Sequence, residues 1–234
     1  MAVEIQFPYT VPPGRLAAAC REAGVECVLI NMPAGQLDAG ELGLACLPGR
    51  EEQFAEAVSQ AISYAQTLNC RRVNCLGGKV PESHSRERCW DVLVANTRLA
   101  AGRLADAGIQ LLVEPLNATD IPGFILSKIS DGDELLAAVD HSNLALQYDV
   151  YHRRAAEEDW LGGLEQRCDR IGHIQFSDFP GRHEPGTGEL TMERLFDLVE
   201  RLPYQGWTGC EYRPTGTTEE SFAWRKALLA RRRA

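Results

Sequence analysis

Short apolar runs alternate with helix-patterned stretches along this whole chain, and glycine repeatedly stands between a helix and the run that follows. Strand character falls at 3–7, 25–30, 72–76, 109–114, 144–149, 171–176 and 206–211. Helical periodicity falls at 15–23, 50–68, 87–107, 132–139, 159–168, 191–201 and 219–229, with Gly24 and Gly108 as stops and Glu189 or Thr191 as the expected cap of the helix at 191. Such alternation predicts repeated β-α units around a parallel sheet. An open doubly wound sheet would carry a glycine-rich nucleotide loop after its first strand, and none is present. The expectation is a single TIM (β/α) barrel domain over residues 1–234. A closed barrel of this class needs eight strands and seven are read, with the chain opening inside the first. The prediction is therefore a barrel short at its N-terminus, lacking the usual first β-α unit and leaving two unpaired sheet edges. A second copy could cover such edges, so a homo-oligomer is a further expectation.

Four of the apolar runs carry an acid or amide at or near their last residue: Glu114, Asp149, Gln175 and Glu211. They are spaced 35, 26 and 36 residues apart, one β-α unit each. In a barrel, functional groups gather at the C-terminal strand ends, so the four side chains are expected to share one pocket. Three carboxylates and an amide would repel without a cation, and all four offer hard oxygen ligands. That set suits Mg²⁺ or Mn²⁺ rather than a thiolate zinc site. Glu114 and Glu211 could also act as base and acid, one removing a carbon-bound proton and the other returning it. His152, three residues past Asp149, is placed to donate to a substrate oxygen. Arg182, in a loop tightened by Pro180-Gly181 and Pro185-Gly186, offers a planar fork for a substrate carboxylate. Each has a plainer reading as a loop histidine or a surface salt-bridge arginine. Asp178 and His183 lie nearby with no role assigned, and Lys79 reads equally as an anion contact or a solvated lysine. The connection at 31–49 is long for an α/β protein, and loops of that size usually carry function or lie over a site.

Composition narrows the classes. The net charge of −9, with acids scattered, gives no support for nucleic-acid or anionic-membrane binding. Arg231-Arg232-Arg233 reads as a helix terminus rather than a binding patch. Eight cysteines in 234 residues show no Cys-x-x-Cys and no zinc spacing. Cys27, Cys75 and Cys210 fall inside strand patterns, where a thiol packs as a small hydrophobe, and Cys210 is expected to face away from the pocket. No apolar run reaches transmembrane length and no signal peptide is read, so a reducing, cytoplasmic setting is expected.

Several runs together resemble the hydroxypyruvate isomerase family. They are Asn31-Met32-Pro33-Ala34-Gly35, Ala45-Cys46-Leu47-Pro48-Gly49-Arg50, Val113-Glu114-Pro115-Leu116-Asn117, Tyr148-Asp149-Val150-Tyr151-His152, His173-Ile174-Gln175, Pro180-Gly181-Arg182-His183-Glu184-Pro185-Gly186 and Glu211-Tyr212-Arg213-Pro214. The resemblance covers essentially the whole chain. It implies a xylose-isomerase-like TIM barrel and the redox-cofactor-independent interconversion of hydroxypyruvate and 2-hydroxy-3-oxopropanoate, a small anionic hydroxy-oxo acid. By that resemblance Glu114 and Glu211 match the catalytic glutamates, Asp149 and Gln175 the other metal-ligand positions, and His152 a substrate-contacting histidine. Arg182 matches a substrate arginine approximately. Related epimerases commonly carry histidine where Gln175 stands, so Gln175 favours the isomerase side. The endonuclease IV branch would need more histidines and a basic surface. A related isomerase or epimerase acting on a four-carbon 2-oxo acid or free ketose, and a non-catalytic metabolite-binding remnant, are the alternatives.

Overall fold

The computed structural model describes residues 1–226, so the arginine run at 231–233 and the end of the helix expected at 219–229 lie outside the described residues. Seven strands and eight α-helices occur among the described residues. The chain divides into two compact units, Met1–Gln147 and Tyr148 onward.

In the first unit, β1 (Ala2–Ile5), β2 (Glu26–Asn31), β3 (Arg72–Cys75), β4 (Gln110–Val113) and β5 (Leu144–Asp149, whose last two residues pass the boundary) follow one another side by side. Every pairing is parallel. A doubly wound sheet would reverse its order partway, and this run does not. Helices α1 (Pro13–Ala23), α2 (Glu51–Leu68), α3 (Arg86–Asp106) and α4 (Ile129–Val139) make the connections. In α2 the buried positions are Phe54, Ala57, Val58, Ala61, Ala65 and Leu68, a single stripe at helical spacing, with Glu51 and Glu52 at the positive N-terminal end. Strands β2 to β5 are covered on both faces along most of their length and so read as apolar runs, as in Cys27-Val28-Leu29-Ile30, whereas β1 is half-buried throughout. Leu29, Leu112 and Ala145 from β2, β4 and β5 form one buried cluster. Contact between side chains of non-adjacent strands requires that face to curl inward.

Helix α4 begins three residues before the expected position. The Asp131 carboxylate accepts from the backbone N–H groups of Ser127 (2.7 Å) and Lys128 (2.9 Å), which starts the helix upstream of Gly132. The long connection after β2 is folded rather than open. Met32 N–H donates to Asn74 O, Gly43 N–H to Ala34 O and Cys46 N–H to Gly77 O. Gly43 takes φ +119°, and a Cβ there would stand 2.3 Å from Leu76 O, so the loop lies directly on the C-terminal end of β3.

In the second unit, α5 (Val150–Ala155) and α6 (Trp160–Gln166) lead to β6 (Ile171–Phe176), and α7 (Met192–Arg201) leads to β7 (Thr208–Cys210) and α8 (Thr218–Ser221). β6 and β7 pair in parallel. Phe176 packs edge-on against Phe196 of α7 at 5.2 Å between ring centroids, while Met192, Leu195 and Leu198 bury the inner side of that helix. Thr191 holds the N-cap position of α7 but its hydroxyl makes no capping bond. Cys27 and Cys75 are buried as expected, whereas Cys210 is exposed. β7 has only three residues, the other two half-buried, and its last residue is not covered.

Candidate active site

Each unit carries part of the predicted set. In the first, Glu114 follows β4 directly, and Pro115, lacking an N–H, ends the pairing there. Parallel register explains what surrounds the carboxylate. Asn31 and Asn74 are register partners at the ends of β2 and β3, and Asn74 in turn pairs with Leu112. Glu114 lies two residues beyond Leu112, so alternation returns its side chain to the face that carries Asn74. Asn74 Nδ2 donates to Glu114 Oε2 (2.9 Å) and to Asn31 Oδ1 (3.1 Å). All three residues are buried, Asn74 completely. The two asparagines were not singled out from sequence. The available signal was an amide at the end of the apolar run before Met32 and another within the short run at 72–76, weaker than the signal that marks Gln175. Lys79 donates instead to the Gly40 carbonyl (3.3 Å), tying the long loop to the segment after β3.

The second unit brings together Asp149, His152, Arg182 and Glu211. Asp149 ends β5 and also caps α5, a helix not expected from the sequence: its Oδ1 accepts from Tyr151 N–H at 2.9 Å. That cap puts His152 in the first helical turn rather than in an irregular loop, with Nε2 3.7 Å from Asp149 Oδ2. Such a carboxylate and imidazole are near enough to share one ion. Asp149 and His152 are each only 1% exposed. Burial, then the positive charges of Arg182 and Arg153, hold His152 well below the usual histidine range, so its ring is neutral. Gln175, buried near the end of β6, is the register partner of Gly209, and Glu211 stands two residues beyond Gly209. Alternation therefore places Gln175 and Glu211 on one face, one level apart.

Arg182 Nη2 donates both to Asp149 Oδ2 (3.2 Å) and to Glu211 Oε1 (2.8 Å), and the guanidinium lies 5.2 Å above the Tyr151 ring. The arginine expected at a substrate carboxylate thus engages two of the expected metal-ligand carboxylates. Its backbone is left-handed, φ +58°, rare for a residue with a side chain. Asp178, fully buried, clamps the loop that carries it: Oδ1 accepts from Phe179 N–H (2.9 Å) and Leu190 N–H (3.0 Å), and Oδ2 from Gly186 N–H (2.8 Å). The loop is also tied to the segment after β7. Arg213 N–H donates to Arg182 O, His183 Nδ1 donates to Arg213 O (2.8 Å), and Thr215 N–H donates to Glu184 Oε2 (3.0 Å). Asp178 and His183, without a role in the sequence reading, are the clamp and one of the ties. A groove of about 340 Å³ beside α6 and α7, lined by Asp159, Glu165, Arg194, Asp197 and Arg201 among others, contains none of the predicted site residues.

Among the described residues no helix is long and apolar enough to cross a membrane. A hydroxypyruvate isomerase of Escherichia coli is 44% identical over 222 residues, covering 95% of this chain and 86% of that protein. A 2-oxo-tetronate isomerase of Cupriavidus necator is 38% identical over 230 residues, 98% of this chain and 88% of that one. A crystal structure described as an AP endonuclease, family 2, from Brucella melitensis superposes with a TM-score of 0.93 at 37% identity, covering 97% of this chain and 87% of that one. The sequence profile of the xylose isomerase-like TIM barrel family matches residues 2–228. With sequential parallel strands and acids at their C-terminal ends, the chain belongs to the xylose isomerase-like TIM barrel family.

Proposed function

We propose that the chain is a hydroxypyruvate isomerase, interconverting hydroxypyruvate and 2-hydroxy-3-oxopropanoate. The observation that carries this reading is identity of 44% along 95% of the chain with the E. coli hydroxypyruvate isomerase, in a chain that has Glu114, Asp149, Gln175 and Glu211 at successive strand ends. The reaction takes a proton from C3 of hydroxypyruvate and returns one to C2, while the hydroxyl proton passes from O3 to O2. Glu114 and Glu211 are assigned the two carbon-proton transfers, one as base and the other as acid. Neutral His152 keeps an N–H for a substrate oxygen, a role that suits a ring held uncharged by burial. Arg182 orients Asp149 and Glu211 and supplies the positive charge that an anionic substrate would meet.

A divalent cation fits this donor set: Asp149 is a buried carboxylate, and Gln175 and Glu211 share a face one level apart. Glu114, Asp149, Gln175 and Glu211 would hold Mg²⁺ or Mn²⁺. When bound, the ion would polarise the substrate carbonyl and so acidify the neighbouring C–H. No nicotinamide or flavin takes part in the proposed reaction. A single-domain cytoplasmic enzyme, with a homo-oligomer as one arrangement, accompanies the proposal. The net charge of −9 is unsuited to a nucleic-acid substrate. A second reading, action on a four-carbon 2-oxo acid, is favoured by the 38% identity with the C. necator protein.

The test is turnover of hydroxypyruvate and of 2-oxo-tetronate by the purified chain, with and without Mg²⁺ or Mn²⁺, beside Glu211→Gln. Metal-supported isomerisation of hydroxypyruvate, lost in the variant, is the expected result. Preference for the four-carbon acid would select the second reading, and an unaffected Glu211→Gln would remove the proton-transfer assignment.

A further inference from the structure

The ends of β2, β3 and β4 carry a chain of three polar side chains, Asn31, Asn74 and Glu114, of which the proposed reaction uses only the last. Its polarity can be derived. An ionised carboxylate only accepts hydrogen bonds, so the Asn74 amide must turn its NH₂ toward Glu114. The second hydrogen of that NH₂ goes to Asn31 Oδ1, the neighbour in register. The orientation leaves Asn74 Oδ1 facing away, and that oxygen, fully buried, accepts no hydrogen bond among the described residues. A buried amide that leaves its carbonyl unpaired is held by a stronger demand on its other end, and among the described residues the charged partner of that NH₂ is Glu114.

We propose that Asn74 is the positioning residue for Glu114, fixing the carboxylate in one rotamer through a donor that Asn31 locks in place. The proposal rests on the reading of Glu114 as a proton-transfer group. Asn74 touches no substrate in this role; it acts through Glu114. The backbone supports it as well: Asn74 O accepts from Met32 N–H (2.8 Å), so the long loop after β2 pins the residue from above.

The test compares wild type with Glu114→Gln, Asn74→Leu and Asn74→Asp in steady-state turnover of hydroxypyruvate with Mn²⁺ present, and measures the melting temperature of each. Asn74→Leu removes the orphaned oxygen but also the donor to Glu114 and Asn31, so the melting temperature is expected to fall while kcat per folded molecule falls about 10- to 100-fold and KM stays within about threefold. Asn74→Asp keeps the side-chain shape, loses the donor and is expected to lose a similar factor in kcat; it decides the matter if the leucine variant fails to fold. A space-filling asparagine would instead show a lowered melting temperature with kcat per folded molecule unchanged. Inactive Glu114→Gln beside Asn74 variants within about twofold of wild type overturns the positioning role alone. Full turnover by Glu114→Gln, or none by wild type, overturns the reading of Glu114 and this role with it.

Discussion

Replacement of Asp178 by alanine would test how the Arg182 loop is held. The carboxylate accepts three backbone N–H groups at 2.8 to 3.0 Å, from Phe179, Gly186 and Leu190. Phe179 and Gly186 are open enough for water to replace the lost bonds, whereas Leu190 is buried. An orphaned buried donor costs about 1–3 kcal/mol, and the two weaker losses add roughly 1 kcal/mol between them. A total of about 2–4 kcal/mol in a chain of this size lowers the melting temperature by roughly 5–12 °C. Asp178→Asn keeps one accepting oxygen and should lose about half as much. Circular dichroism melts provide the measurement, and limited trypsin digestion provides a local one, because release of the loop exposes the peptide bond after Arg182. Cleavage there should be faster in both variants, in the order alanine, asparagine, wild type. A melting temperature within about 1 °C of wild type, with unchanged cleavage, would refute the clamp.

Two further outcomes follow from burial. His152 is held neutral in the folded chain but takes up a proton near its ordinary pKa, about 6.5, once unfolded. Its contribution is complete above that value and is lost as pH falls below it, since protons then favour the unfolded state. Melting temperature in chelating buffer should therefore decline from pH 7.5 to 5.5, with a shallower slope in His152→Asn; equal slopes would reject the assignment. Burial also pushes the Cys46 and Cys75 thiols up to about 12, while Cys210 is exposed. A chromogenic disulfide reagent on native protein should label Cys210 first and leave Cys46 and Cys75 untouched until denaturant is added, as peptide mass mapping would show.

Strands β5 and β6 coincide with the runs read from the sequence because both are buried on both faces and bounded by polar residues. The α5 helix was not legible. Its start depends on the Asp149 side chain turning back to Tyr151 N–H, a local bond that competes with the strand-end reading of the same residue. Glu114, Asp149, Gln175 and Glu211 were legible as strand ends, since an acid or amide after an apolar run is visible without tertiary information. Asn31 and Asn74 carried a fainter version of that signal. What joins them to Glu114 is inter-strand register, which the linear sequence does not print. Arg182 stands out in the sequence by its Pro-Gly-flanked loop, but its partners do not, because the direction of its guanidinium depends on a left-handed backbone in a loop folded around Asp178.

The stitching of the Arg182 loop to the segment after β7 has a mechanical consequence. Arg182, His183 and Glu184 are bonded in succession to Arg213 and Thr215, while Asp178 ties both ends of the loop to itself. Such a loop cannot swing as a lid without carrying the Glu211 strand end along. Substrate entry and product departure must then proceed past a fixed rim, so turnover should be insensitive to solvent viscosity at this element. Lengthening the loop to admit a larger substrate would shift the carboxylate as well as widen the mouth.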